Sequence, residues 1–212
     1  MNDIPVFTSE FGVASLFLRE IPYRQRAHIK IQSSLEPEKL LEECVVFCRA
    51  CGAEWIDAAG HEYLEKYPLI TALFAMQCNK SAIGETDACL FPVTEATVQQ
   101  WLDIYNQRMA EVPNAAYMDS RDGRELLKNG DGYFVHKDGQ LLGIGQAAGD
   151  IIDTVIAVKP GAGETVVRAL AGLLTGDTVK LKVAEANARA VRLYERMGFV
   201  KTKELSCWYR VL

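Results

Sequence analysis

From residue 151 to the C-terminus the hydrophobic pattern changes period four times, and each change marks an element. Ile151–Val158 is a nearly continuous apolar run, the pattern of a strand buried on both faces. Glu164–Leu174 puts Val166, Leu170, Leu173 and Leu174 on one helical side. Val179–Ala184 alternates, with Val179, Leu181 and Val183 set against Lys180 and Lys182. Ala188–Met197 is helical again and stops at Gly198, and Lys203–Val211 closes the chain as a strand. Strand–helix–strand–helix–strand is the order of an α/β (mixed α+β) fold, a sheet flanked by helices.

The first half repeats that order in shorter form. Ala14–Leu18 and Ala27–Gln32 alternate like strands, with a turn expected around Ile21-Pro22-Tyr23. A helix follows over Glu36–Ala50 with Pro37 in its first turn, then a strand Glu54–Ala58, a short helix His61–Tyr67 and a strand Leu69–Met76. The second half is longer and opens with Leu90–Val93 as a strand, Thr94 as the cap of a helix Glu95–Ala110, and Arg121–Lys128 as a second helix. Tyr133–His136 and Gln140–Gln146 form a hairpin whose turn is Asp138-Gly139. Corresponding elements lie about 126–130 residues apart, which suggests a duplicated unit whose first copy is truncated at its N-terminal side. The polar stretch Lys80–Thr86 sets the expected boundary, giving domains 1–85 and 86–212.

Composition narrows the function classes. A 49% hydrophobic share with 24% charged residues is globular, and a net charge of −5 without a basic cluster argues against nucleic-acid or anionic-membrane partners. No apolar run approaches the roughly 20 residues of a membrane span, and Met1–Pro5 does not resemble a signal peptide, so a soluble cytoplasmic protein is expected. The three histidines lie far apart, and no metal is expected. Cys44-x3-Cys48-x2-Cys51 has the spacing of an iron–sulfur motif, but it shares a helical face with Leu40, Leu41 and Val45 and is followed by Gly52. The three thiols are therefore read as buried helix residues, and a redox or cluster protein is the less favoured reading.

The most specific stretch is Asn187-Ala188-Arg189-Ala190-Val191-Arg192-Leu193-Tyr194-Glu195-Arg196-Met197-Gly198-Phe199. Asn187 can cap the helix that follows, Leu193 and Met197 share a face, and Gly198 supplies the positive φ that ends the helix before Phe199 returns to the core. This segment resembles the N-x-x-A-x-x-L-Y-x-x-x-G-F signature of the GNAT superfamily of N-acetyltransferases at every named position. The resemblance extends over about 120 residues from Leu90, and implies a GNAT-like acyltransferase fold with acetyl-CoA as co-substrate. It places Asn187 near splayed strands where the thioester enters and makes Tyr194 the general acid for the departing thiolate, a role a phenol of pKa ~10 can fill.

Ile156-Ala157-Val158-Lys159-Pro160 is similar to the V-x-V-x-P strand end of that superfamily. The resemblance makes Ile156, Ala157 and Val158 the strand edge of the cofactor site. It makes Gly161, Ala162, Gly163, Glu164 and Thr165 the phosphate loop and helix start. The loop is short and lacks the usual leading Gln or Arg, and Glu164 puts a negative charge beside the expected diphosphate unless it turns outward. Lys159, Arg168 and Arg189 are the candidate compensating cations. Asp153 is the candidate base; Asp150 flanks the same strand start, and Tyr117 and His136 lie elsewhere in the domain. The expected activity is acetyl transfer to a primary amine, small-molecule or peptide, by a monomer or homodimer. The other reading is a non-catalytic GNAT-like binding or regulatory protein. The first half carries no equivalent signature: Gly60–Pro68 lacks both the Asn cap and the Gly-Phe ending.

Overall fold

The structure, a computed structural model, describes residues 5–113 and 115–212. In chain order the elements are β1 (Val6–Ser9), β2 (Gly12–Phe17), α1 (Ile21–Arg24), β3 (Arg26–Ser34), α2 (Pro37–Ala50), β4 (Trp55–Ala59), a 3-10 helix (Glu62–Lys66), β5 (Leu69–Asn79) and α3 (Lys80–Ile83). They continue as β6 (Cys89–Pro92), α4 (Val98–Met109), α5 (Ser120–Asn129), β7 (Gly132–Lys137), β8 (Gln140–Ala148), β9 (Ile151–Ala157), α6 (Gly163–Leu173), β10 (Thr178–Ala184), α7 (Ala188–Arg196) and β11 (Val200–Arg210).

The chain forms two compact units. The first comprises residues up to Leu73 with Leu205–Leu212, and the second is Phe74–Glu204. The division thus falls inside β5 and β11, not in the polar stretch after Lys80. Strand pairing explains the difference. The end of β11 pairs with β4 through Tyr209↔Ala58 and Arg210↔Asp57, so the last residues of the chain complete the first unit. The end of β5 lies beside β10 in the second. Lys80–Ile83, expected as loop, is a helical turn capped by Asn79, whose side chain accepts the Ser81 N–H.

In the first unit β1, β2 and β3 run antiparallel, and β3 pairs parallel with β4 after the α2 crossover. Ala14, Leu16, Ala27, Ile29 and Ile31 turn one sheet face onto Leu40, Leu41, Cys44 and Cys48 of α2. Burial pushes the thiols of Cys44 and Cys48 up to about 12, as expected of small core side chains. Cys51 departs from that expectation: it is the C-cap residue of α2 and exposed. The turn expected at Ile21–Tyr23 is the helical turn α1, because Pro22 fits a first helical turn.

The second unit is built on the order β5-β10-β9-β8-β7-β6. β6 to β9 form an antiparallel meander, with Asp138 and Gly139 both at positive φ in the β7–β8 turn, the requirement of a tight two-residue hairpin. β9 and β10 run parallel across the α6 crossover. One face of this sheet carries Val166, Val167 and Leu170 of α6 with Val191, Tyr194 and Met197 of α7. The other packs Phe134, Ile144 and Ile156 against Trp101, Leu102 and Leu126 of α4 and α5. Helix α4 begins after Thr97 rather than Thr94, because the Thr97 hydroxyl turns back to accept the Thr94 N–H at 3.0 Å and closes a preceding turn. Among the described residues no helix is long and apolar enough to cross a membrane.

Candidate active site

The site begins with a register irregularity in β9. Opposite β8, the pairs step from Gln146↔Thr154 to Ala147↔Ile152, which leaves Asp153 as the extra residue of a bulge. Before the bulge, β9 pairs with β10 at Lys180↔Ile151 and Leu181↔Ile152; beyond it the two strands pair no further. A bulge bends its strand and increases its twist, so β9 turns away from β10 at this point. Val158 N–H donates to Leu142 O at 2.9 Å, which fixes the backbone groups of Val158, Ile156 and Thr154 toward β8. Those of Val155 and Ala157 alternate with them and face the opposite edge, where β10 has separated. The result is a strand edge with free donors and acceptors inside the second unit.

Two helix starts face that edge. Gly161 adopts φ +83° and brings the chain into α6, which begins at Gly163 without a side-chain cap. The first N–H groups of a helix have no intrahelical acceptor, so an uncapped start presents several donors and a positive dipole end. Helix α7 starts at Asn187, whose Oδ1 accepts the Ala190 N–H at 3.2 Å, and ends before Gly198 at φ +90°. A Cβ built on Gly163 would stand 2.8 Å from Leu193 Cδ2, which shows how closely α7 approaches the start of α6.

These parts line one cleft of about 480 Å³. Of the sequence-expected residues, Ile156, Ala157, Gly161, Gly163, Glu164, Asn187, Arg189 and Tyr194 are brought together there. Val158, Ala162 and Thr165 flank it without lining it; Ala162 is turned into the core. Asp153 does not join the group. As the bulge residue it is exposed on β9, outside the cleft lining, so the carboxylate expected as a base does not stand beside Tyr194. His136 packs edge-on against Phe91 at 5.1 Å, also outside this cleft.

Tyr194 is 6% exposed, packed beside Val191, Met197 and Phe199, and still reaches the cleft wall. Burial raises its phenol above the ordinary tyrosine range, so at neutral pH it is a proton donor. Glu164 is neutralised locally: its Oε1 lies 2.5 Å from Arg168 Nη2, an i,i+4 pair along α6. Lys159 is held by Gln140, and Arg108 donates to Val158 O at 3.0 Å from the far wall. The arginines Arg108, Arg192 and Arg196 line the cleft in addition to Arg189. The sequence offered a signal for two of them, since 189, 192 and 196 have the spacing of one helical stripe.

Solved structures with this architecture share little sequence with the chain. A proposed acetyltransferase of Pyrococcus horikoshii is 13% identical, at a TM-score of 0.62 over 95% of this chain and 69% of its own. An acetyltransferase of the GNAT family from Colwellia psychrerythraea is 12% identical, at 0.51 over 97% and 84%. A tandem GNAT protein of the clavulanic acid biosynthesis pathway is 12% identical, at 0.50 over 97% and 80%. The chain has the GNAT fold. No protein-family model matches the sequence, and neither does any curated protein.

Proposed function

We propose that the protein is an N-acetyltransferase that moves an acetyl group from acetyl-CoA to a primary amine, on a small molecule or a peptide. The observation that carries this reading is that a single cleft joins the freed β9 edge, the uncapped start of α6 and Tyr194. Acetyl-CoA supplies an activated acyl group on a thiolate leaving group and a phosphorylated handle. The residues present fit it. The Val155 and Ala157 backbone can pair with an extended amide chain as a neighbouring strand would, and the α6 start can take a diphosphate because Arg168 draws off the Glu164 charge.

The chemistry assigned to the chain is modest. Backbone N–H groups at the β9 edge polarise the thioester carbonyl where negative charge develops, and the cleft holds the amine in line with it. As the carbon–nitrogen bond forms and the carbon–sulfur bond breaks, Tyr194 donates its proton to the sulfur, while the proton shed by the nitrogen passes to solvent, from which the phenolate is reprotonated. No covalent enzyme intermediate is needed. The first unit, with β2–β3–α2–β4 in the order of β8–β9–α6–β10, we read as a diverged copy of the same half-fold that has lost the cofactor signature.

The test is acetyl transfer across a panel of amines, comparing wild type with Tyr194→Phe. The expected outcome is a fall in kcat of about 100-fold or more with little change in acetyl-CoA affinity. Unchanged turnover in the phenylalanine variant would remove Tyr194 as the acid.

A further inference from the structure

We infer that Arg189, Arg192 and Arg196 of α7 form the phosphate grip of the donor cleft, in place of the longer glycine loop that this chain lacks. The inference rests on the acyl-CoA reading of the cleft and assigns its anion-binding residues. The three side chains recur at i, i+3 and i+7, a stripe of about 10 Å along one helix face. All three are exposed and line the cleft. None has a carboxylate partner or a side-chain hydrogen bond among the described residues.

The neighbouring cations are engaged elsewhere. Arg168 is paired with Glu164 and also donates to Glu85 O at 3.3 Å; Lys159 is bound to Gln140; Arg108 is bound to Val158 O. Arg108 keeps its charge at the far wall, with one N–H committed to Val158 O, whereas the guanidiniums of α7 have every donor uncommitted among the described residues. The contact between Gly163 and Leu193 fixes where it points. Arg189 lies four residues before Leu193 and Arg196 three after, so both flank it on the same helix surface and bracket the start of α6. A diphosphate at the α6 N–H groups would meet a guanidinium on either side. Guanidinium–phosphate bonds are charge-assisted and often bidentate, strong enough to replace the backbone contacts of a longer loop.

The experiment is calorimetric titration of acetyl-CoA into wild type, the R189A/R196A double variant and R192A, at about 0.05 M and about 0.5 M salt. Exposed arginine substitutions leave the core intact, and circular dichroism checks this. At low salt the expected loss is about tenfold for R192A and about 100-fold for the double variant. At high salt the gap to wild type should shrink several-fold, because screening weakens the wild-type contacts. An R189K/R196K variant should recover part of the loss. Affinity within about twofold of wild type at low salt would overturn the inference while leaving the cleft reading in place, as would an equal loss at both salts. Wild type that fails to bind acetyl-CoA at either salt would overturn the cleft reading and the inference with it.

Discussion

Tyr194 is both a core residue and a wall of the cleft, and the two roles leave a common signature. Its ring packs 5.7 Å from Phe199, and burial holds the phenol above its ordinary pKa of about 10. The folded state therefore favours the protonated form. The stability this contributes is fully present below the unfolded value near ~10 and is lost as pH rises toward the higher folded value. Urea unfolding at neutral pH and above pH ~10 should show a larger loss of stability for wild type than for Tyr194→Phe, which has no proton to lose. Equal losses would contradict the burial assigned to this phenol. At this scale the sequence was informative where chemistry and local geometry coincide: Asn187 caps, Gly198 turns and Phe199 is buried, as their spacing implied. It misled at Asp153. Whether a carboxylate in a strand faces a cleft depends on its register with the neighbouring strand, and a bulge there is not written in the apolar pattern.

Between elements, two glycines of β8 allow α6 to lie close on the sheet. A Cβ at Gly143 would come within 2.3 Å of Ile156 O and 2.7 Å of Val166 Cγ2, and one at Gly145 within 2.3 Å of Leu170 Cδ1. At Gly143 the nearest atom is backbone, on the strand that forms the cleft edge, so the clash cannot be relieved by a rotamer. Gly143→Ala should cost about 3 kcal/mol in denaturant unfolding. It should also weaken acetyl-CoA binding through displacement of β9. A change below about 0.5 kcal/mol would show that α6 is not packed as described. The periodicities of β10, α2, α6 and α7 were legible because each has one buried face. The parting of β9 and β10 was not, since it follows from which backbone groups find partners rather than from side-chain pattern.

For the whole molecule, the main departure from the sequence reading is the assignment of the C-terminal residues to the first unit. Lys203–Val211 was readable as a strand, but its destination was not, because strand order depends on pairing between distant segments. Arg210 shows what the exchange contributes. Its Nε lies 2.5 Å from Oδ1 of Asp57, a fully buried carboxylate of β4. Without Arg210 the buried carboxylate is left with the longer contact of its Oδ2 with Arg26 Nε at 3.9 Å, so Arg210→Ala should destabilise the first unit by about 2–3 kcal/mol. A double-mutant cycle with Asp57→Ala checks the assignment: coupling near zero would mean that the C-terminal residues do not complete this unit. In the second unit the fold, the cleft and the signature segment meet. The most direct test is calorimetric titration of the purified protein with acetyl-CoA. One site per chain with a dissociation constant in the micromolar range is expected. No detectable heat or thermal shift at millimolar acetyl-CoA would contradict it and leave a GNAT fold whose cleft serves some other ligand.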